Sequence, residues 1–216
     1  MSLAFDCADP DQRAHGLDEA VAAINRGAIV VMPTDTVYGV GADAFSPAAV
    51  AALLAAKGRG REMPPPVLVG SWNGIDGLTT YVDDRTRSLV EAFWPGGLTI
   101  IVRHAPSLAW DLGDNRGTVA VRMPAHPVAL ELLRRTGPLA VTSANLTGQP
   151  APATIADAQA QLGETVDVYL DGGPCPDTVA SSMVDLTGDV PVLRRAGAVS
   201  VDTLREVVPD LQVPTP

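Results

Sequence analysis

The sequence is poor in the residues that mark several common classes of protein. Its two cysteines, Cys7 and Cys175, lie far apart, which excludes a disulfide-rich scaffold and a Cys-x-x-Cys metal or redox motif. No apolar run approaches the ~20 residues of a membrane span. The acidic first residues lack the basic start of a signal peptide. We therefore expect a cytoplasmic protein that does not bind a membrane.

The charge balance limits the partners. The net charge is −10 and the isoelectric point is about 4.6, whereas proteins that hold nucleic acid firmly usually present a basic face. We therefore expect weak or no direct RNA binding. The three histidines, His15, His104 and His126, do not have the spacing of metal ligands, so we expect no metal that is held by protein ligands alone.

Lysine is almost absent. Lys57 is the only lysine of the chain, and all the other basic residues are arginines. One explanation is drift at an exposed site in an arginine-biased composition. The other is that position 57 needs a compact ammonium group, which the planar guanidinium of arginine cannot replace.

Aromatic residues are also few, at 4%, beside 46% hydrophobic residues, so the core must be aliphatic. Periodicity and capping residues predict helices over 17–26, 48–56, 86–93, 127–136, 155–162 and 201–208. Apolar runs predict strands over 28–32, 67–69, 98–102, 118–122, 139–142, 166–170, 183–186 and 192–194. This alternation predicts an α/β domain with a mixed, twisted sheet over residues 1–208, and a frayed Pro-rich tail over 209–216.

Two early segments could carry chemistry. Residues 33–41 (PTDTVYGVG) follow the first buried strand, the position at which open α/β sheets bind ligands. The alternative is a polar turn in which Thr and Asp bond their own backbone. Residues 57–61 (KGRGR) follow a predicted helix. Lys57 and Arg59 could bind a polyphosphate, or they could simply be cations favoured at a helix C-terminus.

Later segments place polar residues at strand ends. Residues 142–145 (TSAN) offer donors to phosphate oxygens or a ribose, or they form a turn or cap. Arg122 closes an apolar strand and could bind a carboxylate with two parallel hydrogen bonds, or form a structural ion pair. Residues 181–182 (SS) and Arg195 also admit an ordinary loop interpretation.

Taken together, these segments resemble the YrdC-like family of threonylcarbamoyl-adenylate synthases, in its short single-domain form. The order of the motifs carries the resemblance: PTDTVYG, KGR, FWPGGLT (93–99), TVAVRMP (118–124), TSAN, SSMVDL (181–186) and RxGA (195–198). The match covers residues 17–204. The resemblance implies a single α/β domain with a concave, positively charged cavity over a twisted sheet.

The same resemblance implies a nucleotidyltransferase. Such an enzyme makes threonylcarbamoyl-AMP and pyrophosphate from L-threonine, bicarbonate and ATP, for the threonylcarbamoyladenosine modification of tRNA next to the anticodon. Mg²⁺ would assist, bound with the ATP phosphates. A transient contact with the threonylcarbamoyl-transferase that modifies tRNA is also implied, with weak or no direct tRNA binding.

Residue roles follow from the resemblance, position by position. Lys57 and Arg59 are the expected catalytic residues. The expected ATP-binding residues are Lys57, Arg59, Thr118, Ser143, Asn145 and Arg195. The expected threonine-binding residues are Thr34, Arg122, Thr142 and Ser181, with Arg122 on the carboxylate. Tyr38 and Ser182 are expected in the pocket wall.

The sequence departs from the family pattern after KGR, where Gly60 and the prolines at 64–66 intervene. Any threonine contact made just after Arg61 therefore stays open. Ser182 stands where the family usually has Thr, which keeps the hydroxyl. Three other functions also stay open: an RNA-binding module without chemistry, a paralogue that transfers another carbamoyl-like group, and a non-enzymatic nucleotide sensor.

Overall fold

The computed structural model describes residues 1–175 and 179–214. The strands of this part are β1 (Leu3–Asp6), β2 (Val30–Met32), β3 (Gly39–Asp43), β4 (Val67–Leu68), β5 (Leu98–Arg103), β6 (Thr118–Arg122), β7 (Leu139–Ser143), β8 (Val168–Asp171), β9 (Ser182–Asp185) and β10 (Val192–Arg195). The helices are α1 (Pro10–Asn25), α2 (Pro47–Ala56), α3 (Gly74–Leu78), α4 (Asp84–Phe93), α5 (Pro127–Thr136), α6 (Ile155–Leu162) and α7 (Val201–Val207).

These strands form one sheet in the order β1-β8-β2-β3-β7-β4-β6-β5-β9-β10. β8 runs parallel to β1 and β2, whereas β3 pairs antiparallel with both β2 and β7. The sheet is therefore mixed. The predicted class, an α/β domain with a twisted mixed sheet and flanking helices, is confirmed.

The core lies on both faces of the sheet. In β2, Val31 packs into the larger apolar cluster, while Val30 and Met32 pack into the smaller one beneath α1 and α5. Because successive strand residues point to opposite faces, a strand that consists of a continuous apolar run must be covered on both sides. The prediction of a strand buried on both sides within residues 28–32 is confirmed for residues 30–32.

The helix ends follow their capping residues. Thr154 and Asp157 form a reciprocal capping box at the start of α6, and Asp9 caps α1 through the backbone N–H groups of Asp11 and Gln12. The prediction for α1 began too late, at residue 17, because the first turns of this helix are mostly exposed and polar. No helix in the described part is long and apolar enough to cross a membrane.

The C-terminal segment differs from the expectation of a frayed tail. Leu211 is buried in the main core, and Gln212 exchanges backbone hydrogen bonds with Pro191 and Leu193 at the edge of the sheet. The expectation is wrong for residues 209–212, because an apolar side chain anchors them. Residues 215–216 of the predicted tail lie outside the described residues.

Candidate active site

A cavity of about 470 Å³ opens over six neighbouring strands, from β3 through β7, β4, β6 and β5 to β9. Its volume is in the range of small-molecule binding sites. Most of the predicted ligand-binding residues line it, namely Thr34, Arg59, Thr118, Arg122, Thr142, Ser143, Ser181 and Arg195. The fold thus brings together segments that are distant in the sequence.

Arg122 is buried in the cavity wall at the end of β6. Its Nη2 donates to Asp35 Oδ1 (2.7 Å), its Nη1 to Thr36 Oγ1 (2.8 Å) and its Nε to the carbonyl of Gly96 (2.8 Å). Burial lowers the pKa of the guanidinium, and the Asp35 charge partly opposes this effect. A guanidinium has five N–H groups, so one N–H on each terminal nitrogen keeps no partner within the described residues.

Thr34 also lines the cavity, but its hydroxyl is used within its own turn. It donates to the Val37 carbonyl (2.6 Å) and accepts from the backbone N–H groups of Thr36 and Val37. Because the Thr34 hydroxyl proton goes to the Val37 carbonyl, the Thr36 hydroxyl donates to Thr34 Oγ1, at 3.1 Å, and accepts from Arg122. Thr34 thus bonds its own backbone, as the polar-turn interpretation predicts, and the turn holds Arg122 in place; the threonine contact of Thr34 stays a prediction.

Arg195 lies on β10, near enough to Arg122 for its charge to lower the Arg122 pKa, and its side chain is fixed by Ser181. Its Nε donates to the Ser181 carbonyl (2.9 Å) and its Nη2 to Ser181 Oγ (3.0 Å), which also bonds Thr99 Oγ1 (2.7 Å). A Cβ on Gly197 would lie 2.2 Å from the carbonyl oxygen of Ala180. Only a glycine at position 197 therefore allows the chain after β10 to approach the backbone of residues 180–181 this closely.

Arg59 reaches the cavity from the segment after α2. Its Nη1 donates to Thr142 Oγ1 (3.0 Å), and its Nε is buried without a partner in the described part of the chain. Burial lowers the pKa of Arg59, an effect that the charge of Glu62 opposes. Ser143, next to Thr142, also faces the cavity. These groups form a set of donors at one end of the site.

Lys57 does not line the cavity. Its side chain is buried, and its ammonium donates to the backbone carbonyls of Ser143 and Asn145, each at 2.5 Å. Asn145 is also behind the wall, with Nδ2 donating to the carbonyls of Leu146 and Gln149. The side chains of Lys57 and Asn145, both predicted to contact the ATP phosphates, therefore do not face the cavity.

Tyr38 and Ser182 were predicted in the pocket wall, and both lie behind it. The Tyr38 hydroxyl donates to the carbonyl of Gly173 (2.6 Å) and lies 3.0 Å from Asp171 Oδ1. Ser182 Oγ donates to the carbonyl of Val199 (2.6 Å). Both residues are fully buried and absent from the lining. Their polar groups support the backbone of the site instead.

Two further segments line the cavity and are here together called the roof. Residues 62–66, here called the strap, and residues 104–117, here called the β5–β6 loop, both contribute lining residues. Thr118, which follows the loop, donates its hydroxyl to the Asn115 carbonyl (2.8 Å). Arg61, just before the strap, pairs with Asp111 of the loop through two hydrogen bonds.

The charge of the lining is opposite to that of the chain. Three arginines, Arg59, Arg122 and Arg195, face the cavity, and no Asp or Glu among the described residues lines it. Of the three, only Arg122 has a carboxylate within ion-pair distance in this part of the chain. The described residues also contain no group of three or more His, Cys, Asp or Glu that could hold a metal ion.

Several lining residues were missed from the sequence. Thr36 and Thr99 lie inside motifs that were recognised, but no role was assigned to them. Asn115 and the strap lie between motifs. Gly58 and Gly60, just before the strap, and the prolines at 64–66 indicated unusual structure, but they did not show that the strap lines the cavity.

Comparison with known proteins agrees with this geometry. The family model Sua5_yciO_yrdC, described as telomere recombination, matches residues 22–197. A Mycobacterium leprae protein is 61% identical over 208 residues, which cover 96% of this chain and 94% of that protein. Threonylcarbamoyl-AMP synthase of Bacillus subtilis is 35% identical over 197 residues, covering 90% of this chain and 57% of its own length.

A solved structure resembles the whole domain. Pyrococcus abyssi Sua5, crystallised in complex with L-threonine, superposes with a TM-score of 0.91 at 29% identity. The likeness covers 99% of this chain and 62% of that protein. The motif order, the arginine-lined cavity and these matches lead to one conclusion: the chain belongs to the Sua5/YciO/YrdC family.

Proposed function

We propose that the protein makes threonylcarbamoyl-AMP and pyrophosphate from L-threonine, bicarbonate and ATP, for the modification of tRNA next to the anticodon. Its Bacillus subtilis relative is named threonylcarbamoyl-AMP synthase. One structural observation carries the proposal. In a chain of net charge −10, the cavity is lined by three arginines and, among the described residues, by no carboxylate. Such a site suits a polyphosphate and an amino-acid carboxylate.

Arg122 is the proposed partner of the threonine carboxylate. Its two remaining N–H groups lie on different terminal nitrogens, the arrangement that binds a carboxylate with two parallel bonds. Asp35, Thr36 and Gly96 hold the guanidinium in one orientation. The hydroxyls of Ser181 and Thr142, which face the same cavity, are proposed to contact the amino acid.

Arg59, Ser143 and Arg195 are the proposed partners of the ATP phosphates. Arg59 and Arg195 have no carboxylate within ion-pair distance in the described part, so their charge is available to an anion. Thr118 lies on the same lining and is proposed on the nucleotide side. The cavity walls add apolar surface from Met63 and the strap prolines.

The proposed reaction needs positioning and charge compensation more than covalent help from the protein. The threonine amine takes up the carbon of bicarbonate, with loss of water, to form a carbamate. A carbamate oxygen attacks the α-phosphorus of ATP, and pyrophosphate leaves. Guanidinium groups fixed around the phosphates stabilise the charge that moves to the leaving group. The roof over the cavity protects the carbamate and the mixed anhydride from water.

Mg²⁺ is proposed to enter with the ATP phosphates. The polar side chains of this lining are hydroxyl and guanidinium groups and the amide of Asn115, without a carboxylate among the described residues, so phosphate oxygens and water suit Mg²⁺ better here than protein ligands. The proposed location is the cytoplasm, and the product is proposed to pass to the transferase through a transient contact. Direct tRNA binding is expected to be weak.

The deciding experiment measures pyrophosphate release from ATP with and without L-threonine and bicarbonate, together with the mass of the adenylate product. Release that needs both, with a threonylcarbamoyl-AMP mass, establishes the reaction. Release supported by another carbamoyl acceptor would favour a paralogue of different specificity. ATP binding by folded protein without threonine-dependent release would favour a nucleotide sensor.

A further inference from the structure

We infer that Lys57 is a positioning residue, which holds the loop after β7 through the carbonyls of Ser143 and Asn145 and makes no contact with the phosphates. The inference rests on the proposed function only for the identity of the ligand. It assigns to Lys57 a role in shaping the site, in place of a direct contact between its charge and the ligand.

Lys57 is tied to the loop in two ways. Its ammonium donates to the carbonyls of Ser143 and Asn145 at 2.5 Å, and its own carbonyl accepts the backbone N–H of Thr147 at 3.0 Å. The residue also ends α2, so its backbone is fixed by the helix. It is only 3% exposed and absent from the cavity lining. Its charge is therefore directed at the protein backbone.

These bonds set the orientation of two peptide groups. When a carbonyl points to Lys57, the N–H of the next residue points the other way. Accordingly, Ala144 N–H reaches the Tyr38 carbonyl (2.8 Å), and Leu146 N–H reaches Gln161 Oε1 (2.9 Å). The Ser143 side chain is left facing the cavity beside Arg59. Fixing these planes fixes the backbone from which the Ser143 side chain projects towards the cavity.

The chemistry of the site explains why the one lysine of the chain stands here. An ammonium is compact and carries three donors around one atom, so it can bond two nearby carbonyls in a buried space. A planar guanidinium spreads its donors over three nitrogens. Without Lys57, two buried carbonyls would lose their partner, which is costlier than the loss of an exposed bond.

The test compares four variants by hydrogen exchange without nucleotide and by ATP affinity. Lys57→Met should speed exchange of the Ala144 and Leu146 amides at least tenfold and raise the ATP Kd at least tenfold. Lys57→Arg, which keeps the charge, should not restore affinity. Lys57→Gln, which keeps neutral N–H donors, should restore part of it. Arg59→Met is the matched control: it should raise the ATP Kd without faster exchange.

A direct contact predicts other results. Wild-type exchange in Lys57→Met together with lost ATP affinity, or affinity restored by Lys57→Arg, would overturn the inference. If Lys57→Met does not fold, the comparison of Gln with Arg decides, because a positioning role favours Gln and a charge role favours Arg. Exchange and ATP binding need no turnover, so this test is independent of whether threonine-dependent pyrophosphate release is found.

Discussion

Arg61 and Asp111 join the two segments that cover the site. Arg61 Nη1 and Nη2 bond Asp111 Oδ2 and Oδ1 at 3.0 and 2.8 Å, and the Arg61 carbonyl accepts the backbone N–H of Asp114 at 2.8 Å. The hydrogen bond lowers the pKa of Asp111 and raises that of Arg61. Because both side chains are exposed, salt and water weaken the pair, so we expect the two segments to separate more readily at high salt.

Asp111→Asn should therefore loosen the roof. We expect a several-fold higher KM for ATP and a smaller dependence of KM on salt than in the wild type, with the fold retained. The matched control is Asp167→Asn, which removes a similarly exposed ion pair with Arg26 away from the cavity. Steady-state kinetics at low and high salt provide the measurement. Equal kinetics in both variants would mean that the pair does not act on the site.

Arg122→Lys should separate threonine binding from ATP binding. A lysine cannot reproduce both the three bonds to Asp35, Thr36 and Gly96 and the two further N–H groups that are proposed to bind the carboxylate. We expect at least a tenfold higher Kd for threonine and a change of less than threefold for ATP. Arg194→Lys is the control, because Arg194 is an exposed arginine that also pairs with a carboxylate, Asp185, and does not line the cavity. Calorimetric titration of each ligand gives both constants, and an unchanged threonine affinity would remove Arg122 from that role.

Local signals made much of the fold predictable. Several elements were predicted from three kinds of signal: the apolar run at residues 28–32, the first-turn residues of α5 and α6, and the glycines that end helices. Each of these signals depends only on residues that are neighbours in the sequence. β3 was missed because its two glycines lower strand propensity. At Gly39 the packing leaves no space for a side chain, because a Cβ there would lie 2.8 Å from the Val141 side chain. Tertiary packing thus outweighed local preference.

The sequence predicted most of the residues that line the candidate site, but it did not predict how they are arranged. The motif order identified most of the lining residues. It could not show that Arg122 bonds Asp35, 87 positions away, or that Lys57 bonds a carbonyl 88 positions away. Such contacts depend on strand order and on which side of a strand end each residue faces. Spacing within a motif carries no information about either.

Gly197→Ala should disturb the site through the backbone. The new Cβ would lie 2.2 Å from the Ala180 carbonyl, next to Ser181 and its bonds to Arg195. Overpacking of this kind costs about 1–3 kcal/mol, so we expect a lower free energy of unfolding and a higher KM for ATP. Gly188→Ala is the control, because its nearest neighbour would be 3.9 Å away. Urea unfolding of both variants tests the prediction, which fails if they are equally stable.

The pH dependence of stability should report the burial of Lys57. Burial lowers the pKa of its ammonium to about 8, with the nearby Arg59 charge as the second cause. Between pH 8 and the usual value of 10.5, the unfolded chain holds a proton that the folded protein has released. The unfolded state thus binds more protons, and this contribution to stability grows as the pH rises and is lost as it falls to 8.

The contribution is isolated by subtracting the unfolding free energy of Lys57→Gln from that of the wild type. Burial raises the pKa of the Cys7 thiol to about 11, which lowers stability above pH 9, but this effect is common to both proteins and cancels. The difference should increase from pH 7.5 to 9.5, by at most about 1.4 kcal/mol per pH unit. A neutral amine keeps two N–H groups, so both carbonyl bonds can survive deprotonation. A flat difference would mean that Lys57 stays charged and that its carbonyl partners outweigh its burial.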